Sequence, residues 1–297
     1  MSCPRSSPPF AADGGDQQVT EYKQLVSRFR PYSNAAKLGI GTLERMRIEH
    51  LYRYPVKGLT AEAIEETRLE PGGAIPWDRA FALAQGDAGF DPAAPRWLPK
   101  SNFMCLMKNA SIARLKASFD PRSGELAIRA PDGAACIADA LTAEGRASIE
   151  EFLVRFLGPE ARGRPRFHYV PGHVFSDQSR PVVSLINLAS LADFERKVGA
   201  PRDRMRFRAN IYFSGLPAWR ELDWVGKELA AGGVRLRVLK RIVRCPATEV
   251  NPASGVRDAD PLRELAAAYG HRDLGVHAEV AEGGPIAVGD SIELINA

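Results

Sequence analysis

Cys245 is the residue whose setting most invites chemistry. It stands in "LKRIVRCPATEVNPASG", with Lys240, Arg241 and Arg244 in the five residues before it and Pro246 directly after. A thiol surrounded by cations is biased toward thiolate, the form that attacks electrophiles and binds soft metals. The proline ends a strand at that point, so the side chain is expected at a strand tip, where sites are usually built. By spacing alone two readings stay open: an inert structural thiol, or a nucleophile and metal ligand. The other cysteines, Cys3, Cys105 and Cys136, form no C-x-x-C pair with it or with each other. A disulfide framework and a zinc cage are both excluded on spacing. Cys105 in "FMCLM" and Cys136 in "AACIA" have apolar neighbours and are expected to be buried.

Arginine clusters provide a second chemical signal. "RGRPRFHYVPGH" and "PRDRMRFRAN" are either solvated faces or an anion site of planar guanidinium groups. The formal net charge of +4 is too small to indicate nucleic acid, and no nucleic-acid partner is expected. Familiar phosphate and nucleophile motifs are missing. "GIGTLE" at 39–44 is a G-x-G without its third glycine, and there is neither a P-loop nor a G-x-S-x-G elbow.

The elements that must position these residues are mostly strands. Residues 1–20 are rich in Pro, Gly, Ser and Asp, and residues 1–45 are expected to form a mobile extension. Beyond it, "RIEHLYRY" and "FALAQG" read as strands. "ARLKASFD" alternates with Ala113, Leu115, Ala117 and Phe119 on one face, and "PRSG" turns it into "ELAIRAPDG" as a hairpin. A helix is predicted over 142–157, with Ile149, Phe152, Leu153 and Phe156 on one stripe and Gly158-Pro159 ending it. "RPVVSLI" reads as a buried strand. A second helix runs from near Asn187 to Gly199, and a third has Asp260 as N-cap, Pro261 at its first position and Gly270 past its end. "RFRANIYFSG", "GVRLRVLKRIVR" and the closing Gly-punctuated stretch read as strands. Without a regular β-α-β rhythm, the fold class is β-rich α+β, built from barrels rather than a doubly wound sheet. Three segments are expected: 1–45, a smaller β-barrel-like domain over 46–140, and a larger core over 141–297. No apolar run approaches a membrane span, and the N-terminus lacks a secretory apolar region, so the expected location is cytoplasmic.

Several of these segments, in order, resemble the MOSC family (molybdenum cofactor sulfurase C-terminal domain) in its two-part form. "YPVKGL" followed by "WDRAFAL" is similar to the N-terminal Y-P-V-K-S and D-R motifs. "SLINLASLADF", "FRANIYFSG", "RCPATEVNPASG" and "LGVHAEVAEGGPIAVGD" resemble the core. The resemblance implies a MOSC-type β-barrel core preceded by an N-terminal β-barrel. It also implies a molybdenum cofactor (molybdopterin) with Cys245 as the metal ligand and catalytic thiol, as in the amidoxime-reducing branch. Lys57 matches the Y-P-V-K lysine, Arg79 the D-R arginine, Arg208 and Asn210 the R-P-N pair, and Arg244 the arginine before the cysteine; these would grip the cofactor's phosphate. "SDQS" resembles a polar segment beside the pterin, which would engage Asp177 and Ser179. Gly58 stands where many relatives have serine, Ala209 where they have proline, and Asn251 where they have aspartate. The implied activity is reduction of N-hydroxylated compounds by a monomer. No flavin, haem or iron–sulfur motif is present, so electrons are expected from a separate donor: a reductase, a ferredoxin or a b-type cytochrome. A sulfur (persulfide) or cofactor carrier using Cys245 is the alternative from another class.

Overall fold

The computed structural model describes residues 45–295. The expected mobile extension, apart from Arg45, lies outside the described residues, as do Cys3 and the "GIGTLE" segment.

The first half is built from short strands. β1 (Arg47–Arg53) and β2 (Glu62–Ile64) pair antiparallel. β3 (Glu66–Leu69) and β4 (Phe81–Ala84) follow. β5 (Lys116–Phe119), β6 (Glu125–Arg129) and β7 (Ala135–Asp139) form an antiparallel three-stranded sheet whose first hairpin is the one predicted from "PRSG". Ahead of β5, residues Ala110–Arg114 form a 3-10 turn rather than the predicted strand. Ala113, Leu115 and Phe119 are nevertheless buried and Arg114 and Lys116 exposed, so the alternation reported burial correctly and backbone wrongly. Cys136 is only partly buried on the edge strand β7, which corrects the expectation of a core thiol, whereas Cys105 is buried.

Helix α1 (Ala143–Leu157) begins where Thr142 Oγ1 accepts from Gly145 N at 3.0 Å and ends at Gly158, whose φ of +52° suits glycine. Its Ile149, Leu153 and Leu157, spaced i, i+4, i+8, are buried against Phe81, Ile112, Leu126 and Phe167. Each such side chain contributes about 1.5–3 kcal/mol. Leu153→Ala would open a hole in this core costing about 2–5 kcal/mol.

β8 (Arg166–Tyr169) pairs with β4. β9 (Val183–Asn187) leads into α2 (Leu188–Val198), capped by the Asn187 side chain and stopped by Gly199 in the left-handed region. That helix is the crossover required between β9 and the parallel β10 (Ile211–Ser214). The predicted "RFRANIYFSG" strand starts only at Ile211. Before it, the Asp203 carboxylate caps a 3-10 turn at Arg204–Arg206, and Arg208 takes a φ of +51°. β11 (Glu228–Ala231) and β12 (Val234–Val243) precede α3 (Pro261–Tyr269), which has the predicted Asp260 cap and Gly270 stop. β13 (Asp273–Glu282), β14 (Gly284–Ala287) and β15 (Ile292–Ile295) complete the described chain.

Eight strands form one sheet in the order β15-β11-β12-β13-β9-β10-β1-β2. The sheet curls: Ile292 N donates to Met46 O at 2.9 Å, bringing the start of β15 back to the start of β1. Ile48, Leu185, Phe213, Leu236 and Val276 fill its interior. β3 pairs with β14, so strands from both halves interlock twice. The result is the expected β-rich α+β architecture, with barrel-like curling and few helices.

Candidate functional site

Cys245 follows the last residues of β12 and starts a 3-10 turn, Pro246–Glu249. Its carbonyl accepts from Thr248 N and from Thr248 Oγ1, both at 3.0 Å, which fixes the backbone that carries the thiol. Arg206 and Arg257 hold that turn from outside. Arg206 donates to Glu249 O at 2.9 Å, and Arg257 donates to Pro246 O and Met107 O, both at 2.8 Å. The Arg257 contacts tie the cysteine's turn to the 105–107 segment of the first half.

A cavity of about 500 Å³ opens beside the thiol. Eight cationic residues line it against two carboxylates, Asp78 and Asp177. Lys57, Asp78, Arg206 and Arg244 among them are buried, where an opposite charge is worth more than at an open surface.

Lys57 is the second residue of the Val56–Leu59 turn after β1, closed by Leu59 N donating to Val56 O at 3.1 Å. Its ammonium donates to Asp177 Oδ1 at 2.5 Å and to Phe175 O at 2.9 Å, leaving one N–H for the cavity. The Lys57 side chain is 6% exposed, while Asp177 is 46% exposed. Burial pulls the Lys57 pKa down, and Asp177 offsets only part of this. Burial acts on Asp177 in the opposite direction but is outweighed by Lys57 and Lys100, which hold its carboxyl far below the usual range. Lys100 Nζ lies 3.3 Å from Asp177 Oδ2. Despite burial, Asp177 and the Cys245 sulfur keep the Lys100 pKa above its ordinary value.

Arg79 and Arg208 are held by one ring. Their guanidinium carbons sit 4.4 Å and 4.3 Å from the Tyr54 centroid. Arg79 also pairs with the buried Asp78 and donates to Arg208 O at 3.1 Å, and Arg208 donates to Leu59 O at 2.7 Å. Both arginines adopt positive φ, at +51° each, strain that non-glycine residues carry only where the surroundings over-determine it. Burial, together with the charge of Arg79, pushes the Arg208 pKa down to about 10.

Arg244 is buried. It donates to Phe207 O at 2.9 Å and to Leu274 O, and its guanidinium lies 5.3 Å from the Phe207 ring centroid. Its Nε is buried with no partner among the described residues. Asn210 also lines the cavity, but its amide is spent internally. Oδ1 accepts from Ser184 N and Oγ at 3.1 and 2.8 Å, and Nδ2 donates to Tyr52 O at 3.2 Å. It therefore braces β9 and β1 at the cavity floor.

Of the residues singled out from sequence, Lys57, Arg79, Asp177, Arg208, Asn210, Arg244 and Cys245 all line this cavity. Ser179 does not. Ser176 Oγ donates to Gln178 O at 2.8 Å, the chain turns outward there, and Ser179 is exposed. Sequence reasoning missed Lys100, Arg206, Tyr54 and His277. The His277 Nδ1 is buried without a partner among the described residues. Burial and the nearby Arg244, Lys240 and Arg79 push its pKa down to about 3. Among the described residues no group of three or more His, Cys, Asp or Glu is arranged to hold a metal ion.

A curled, strand-rich body with a half-buried thiol, Cys245, and a buried one, Cys105, in the lining of a cation-rich cavity defines a class: a β-barrel-like protein with a pocket whose charge suits an anion. Family comparisons narrow this. The MOSC N-terminal beta barrel domain matches residues 45–164 and the MOSC domain matches residues 167–293. The chain belongs to the MOSC domain family, in the form that carries the N-terminal barrel domain. Curated relatives include mitochondrial amidoxime-reducing component 1 of Homo sapiens, 31% identical over 123 residues, and mitochondrial amidoxime reducing component 2 of Bos taurus, 29% over 122 residues. Each match covers 37% of this chain and 36% of the relative, so it spans about a third of either protein. Among solved structures, the YUAD protein from Bacillus subtilis aligns over 84% of this chain and 94% of its own, at 16% identity and a TM-score of 0.40. YiiM from Geobacillus stearothermophilus aligns over 38% and 54%, at 17% identity and a TM-score of 0.30. No helix among the described residues is long and apolar enough to cross a membrane.

Proposed function

We propose that the cavity binds a molybdenum cofactor and that the protein reduces N-hydroxylated compounds there, with electrons from a separate donor protein. The observation that carries this reading is the meeting of the half-buried Cys245 thiol with eight cations and two carboxylates around one cavity, whose other cysteine, Cys105, is buried. The donor set fits such a group. Cys245 supplies one soft thiolate, suited to molybdenum. Lys57, Arg79 and Arg208 supply charge for a phosphate, and the partnerless Nε of Arg244 is a donor that a bound ligand would satisfy. When bound, the cofactor would supply the two-electron chemistry; the protein supplies binding, orientation and electrostatics. Cys245 would fix the metal's position, because its backbone is pinned by Thr248 and its turn by Arg206 and Arg257. Lys100 and Lys57 keep Asp177 ionised at the mouth, where its exposed oxygen can accept a hydrogen bond from an N–H or O–H of substrate or pterin. His277, neutral at working pH, offers an Nδ1 without a partner among the described residues to a ligand's hydrogen bond rather than another positive charge.

The test is metal and pterin content of protein made in a host that synthesises the cofactor, beside Cys245→Ala, followed by reduction of an amidoxime with a chemical electron donor. About one molybdenum per chain, sharply reduced in the variant, with turnover only in the parent, is expected. Sulfane sulfur on Cys245 without metal, despite cofactor supply, would replace this reading by the carrier.

A further inference from the structure

Residues 85–99 join β4 to a 3-10 turn at Lys100–Asn102 without regular structure of their own. A loop of that length in a compact body is usually a binding loop or a lid. Two side chains pin this one. Phe90 packs against Phe103, His168, His173 and Phe175, with ring centroids 4.9 to 6.1 Å away. Leu98, just before Pro99, packs against the cluster that holds Phe103 and Phe175. Its neighbour Trp97 is 42% exposed and lines the cavity beside Cys245. Trp77, Trp219 and Trp224 each lie against another ring, at centroid distances of 4.9, 4.2 and 5.3 Å. Trp97 has no aromatic partner among the described residues, so both faces of its indole are free of other rings.

Val243 complements it from β12. It is 68% exposed, two residues before Cys245, and lines the same cavity. Exposed large hydrophobic side chains are few among the described residues: Trp97, Ile137, Val225, Val243, Val256 and Val288. Of these, Trp97 and Val243 line this cavity and the other four do not. Single hydrophobic side chains scattered over a surface need no explanation, but two on the rim of one charged cavity, extended by the exposed Pro99, make an apolar edge over a polar interior. Ligand sites have that division of labour: apolar groups hold the body of the ligand, and a few polar groups orient its reacting end. An unpaired indole face holds a flat ring better than an aliphatic chain, since ring pairs gain beyond the area they bury.

We propose that Trp97 and Val243 select the substrate, clasping a flat aromatic group at the rim while its N–O end enters the charged cavity. This rests on the reductase reading above and adds the substrate class: aromatic rather than aliphatic N-hydroxylated compounds. Trp97 touches the part of the substrate that does not react. Its contact is the same before and during the reaction, so it is expressed in KM more than in kcat.

The experiment has two arms. In the first, benzamidoxime and acetamidoxime are reduced by the loaded protein with a chemical electron donor. The parent is expected to favour benzamidoxime at least about tenfold in kcat/KM, mainly through KM. That preference should fall about tenfold in Trp97→Ala and about threefold in Val243→Ser, and should be largely kept in Trp97→Phe, which retains a ring on the same loop. A parent with no aromatic preference, or the same preference in Trp97→Ala, overturns the proposal. The second arm needs no turnover. Benzamidoxime is titrated into the protein as purified, without an electron donor, and is expected to quench tryptophan fluorescence saturably in the parent but not in Trp97→Phe. Equal quenching in the two, or none in the parent, overturns the proposal as well. Saturable quenching that depends on Trp97, in a protein that reduces neither compound, would sustain the aromatic site and sink the reductase reading instead.

Discussion

Replacing His277 tests the electrostatics of the cavity without any cofactor. His277 sits on β13 with Arg244, Lys240 and Arg79 around it, and its pKa falls from 6.5 to about 3 on folding, first through burial and then through those cations. A base with a depressed folded pKa binds its proton in the unfolded chain while remaining neutral in the native one. Between about pH 3 and pH 6.5 the unfolded state therefore holds one more proton, and stability rises with pH at about 1.4 kcal/mol per unit. From pH 6.5 down to pH 4 this single residue removes about 3 kcal/mol. His277→Gln keeps a neutral polar side chain and deletes the titration. Urea unfolding at half-unit steps from pH 4 to pH 7, on protein free of cofactor, gives the two stability curves. The variant's curve should be shallower by about one proton across that window, and the two should run parallel above pH 7. Parallel curves across pH 4–6.5 would mean that His277 is solvated or paired, and the account of a desolvated, cation-dominated cavity would fail with it.

Other substitutions probe separate supports. Gly58→Ser would place a β-carbon 2.8 Å from Ile112 Cδ1 at a φ of +88°, so it should lower stability by about 1–3 kcal/mol in denaturant unfolding; an unchanged midpoint would contradict that geometry. Tyr54→Leu removes the ring under both Arg79 and Arg208 and the hydroxyl that donates to Ala209 O at 3.1 Å, and should cost about 2–4 kcal/mol by the same assay. Lys57→Met should reduce cofactor retention at least about tenfold, measured as molybdenum per chain, while Lys100 keeps Asp177 paired. Because folded Asp177 is depressed, its contribution to stability is complete above its unfolded value near 4 and is lost only as pH falls below that, so acid unfolding of Asp177→Asn should be less steep than the parent's below pH 4.

Local signals in the chain were read well where they are local in physics. The cap at Asp260 and the stops at Gly158, Gly199 and Gly270 need only neighbouring residues, and all four are where the spacing puts them. Cys245, Lys57 and Arg208 stand beside their motif partners and reach one cavity. His277 could not be read this way. Its position is decided by pairing with Lys240 across β12 and with Ser184 across β9, and no nearby residue reports either register. Lys100 enters from a proline-rich stretch whose path depends on long-range packing. The left-handed backbones at Arg79 and Arg208 carry no glycine to flag them; a shared tyrosine ring and two carbonyl acceptors hold them there. Ser179 shows the opposite limit, since a polar motif does not reveal which of its members turns outward.

The pairing of β1 with β10 has a consequence for biogenesis. Arg47 meets Ser214, and β3 likewise meets β14, so the earliest strands of the described residues wait for partners roughly 160 to 220 residues later. The 45–164 segment cannot complete its hydrogen bonding during synthesis, and cutting the chain between the two matched regions would strand β1 and β3 as open edges. Lys57 and Arg79 on one side of that cut and Arg208 and Cys245 on the other come together only once nearly the whole described chain has been made, so a ligand that needs all four has no site on a nascent first half.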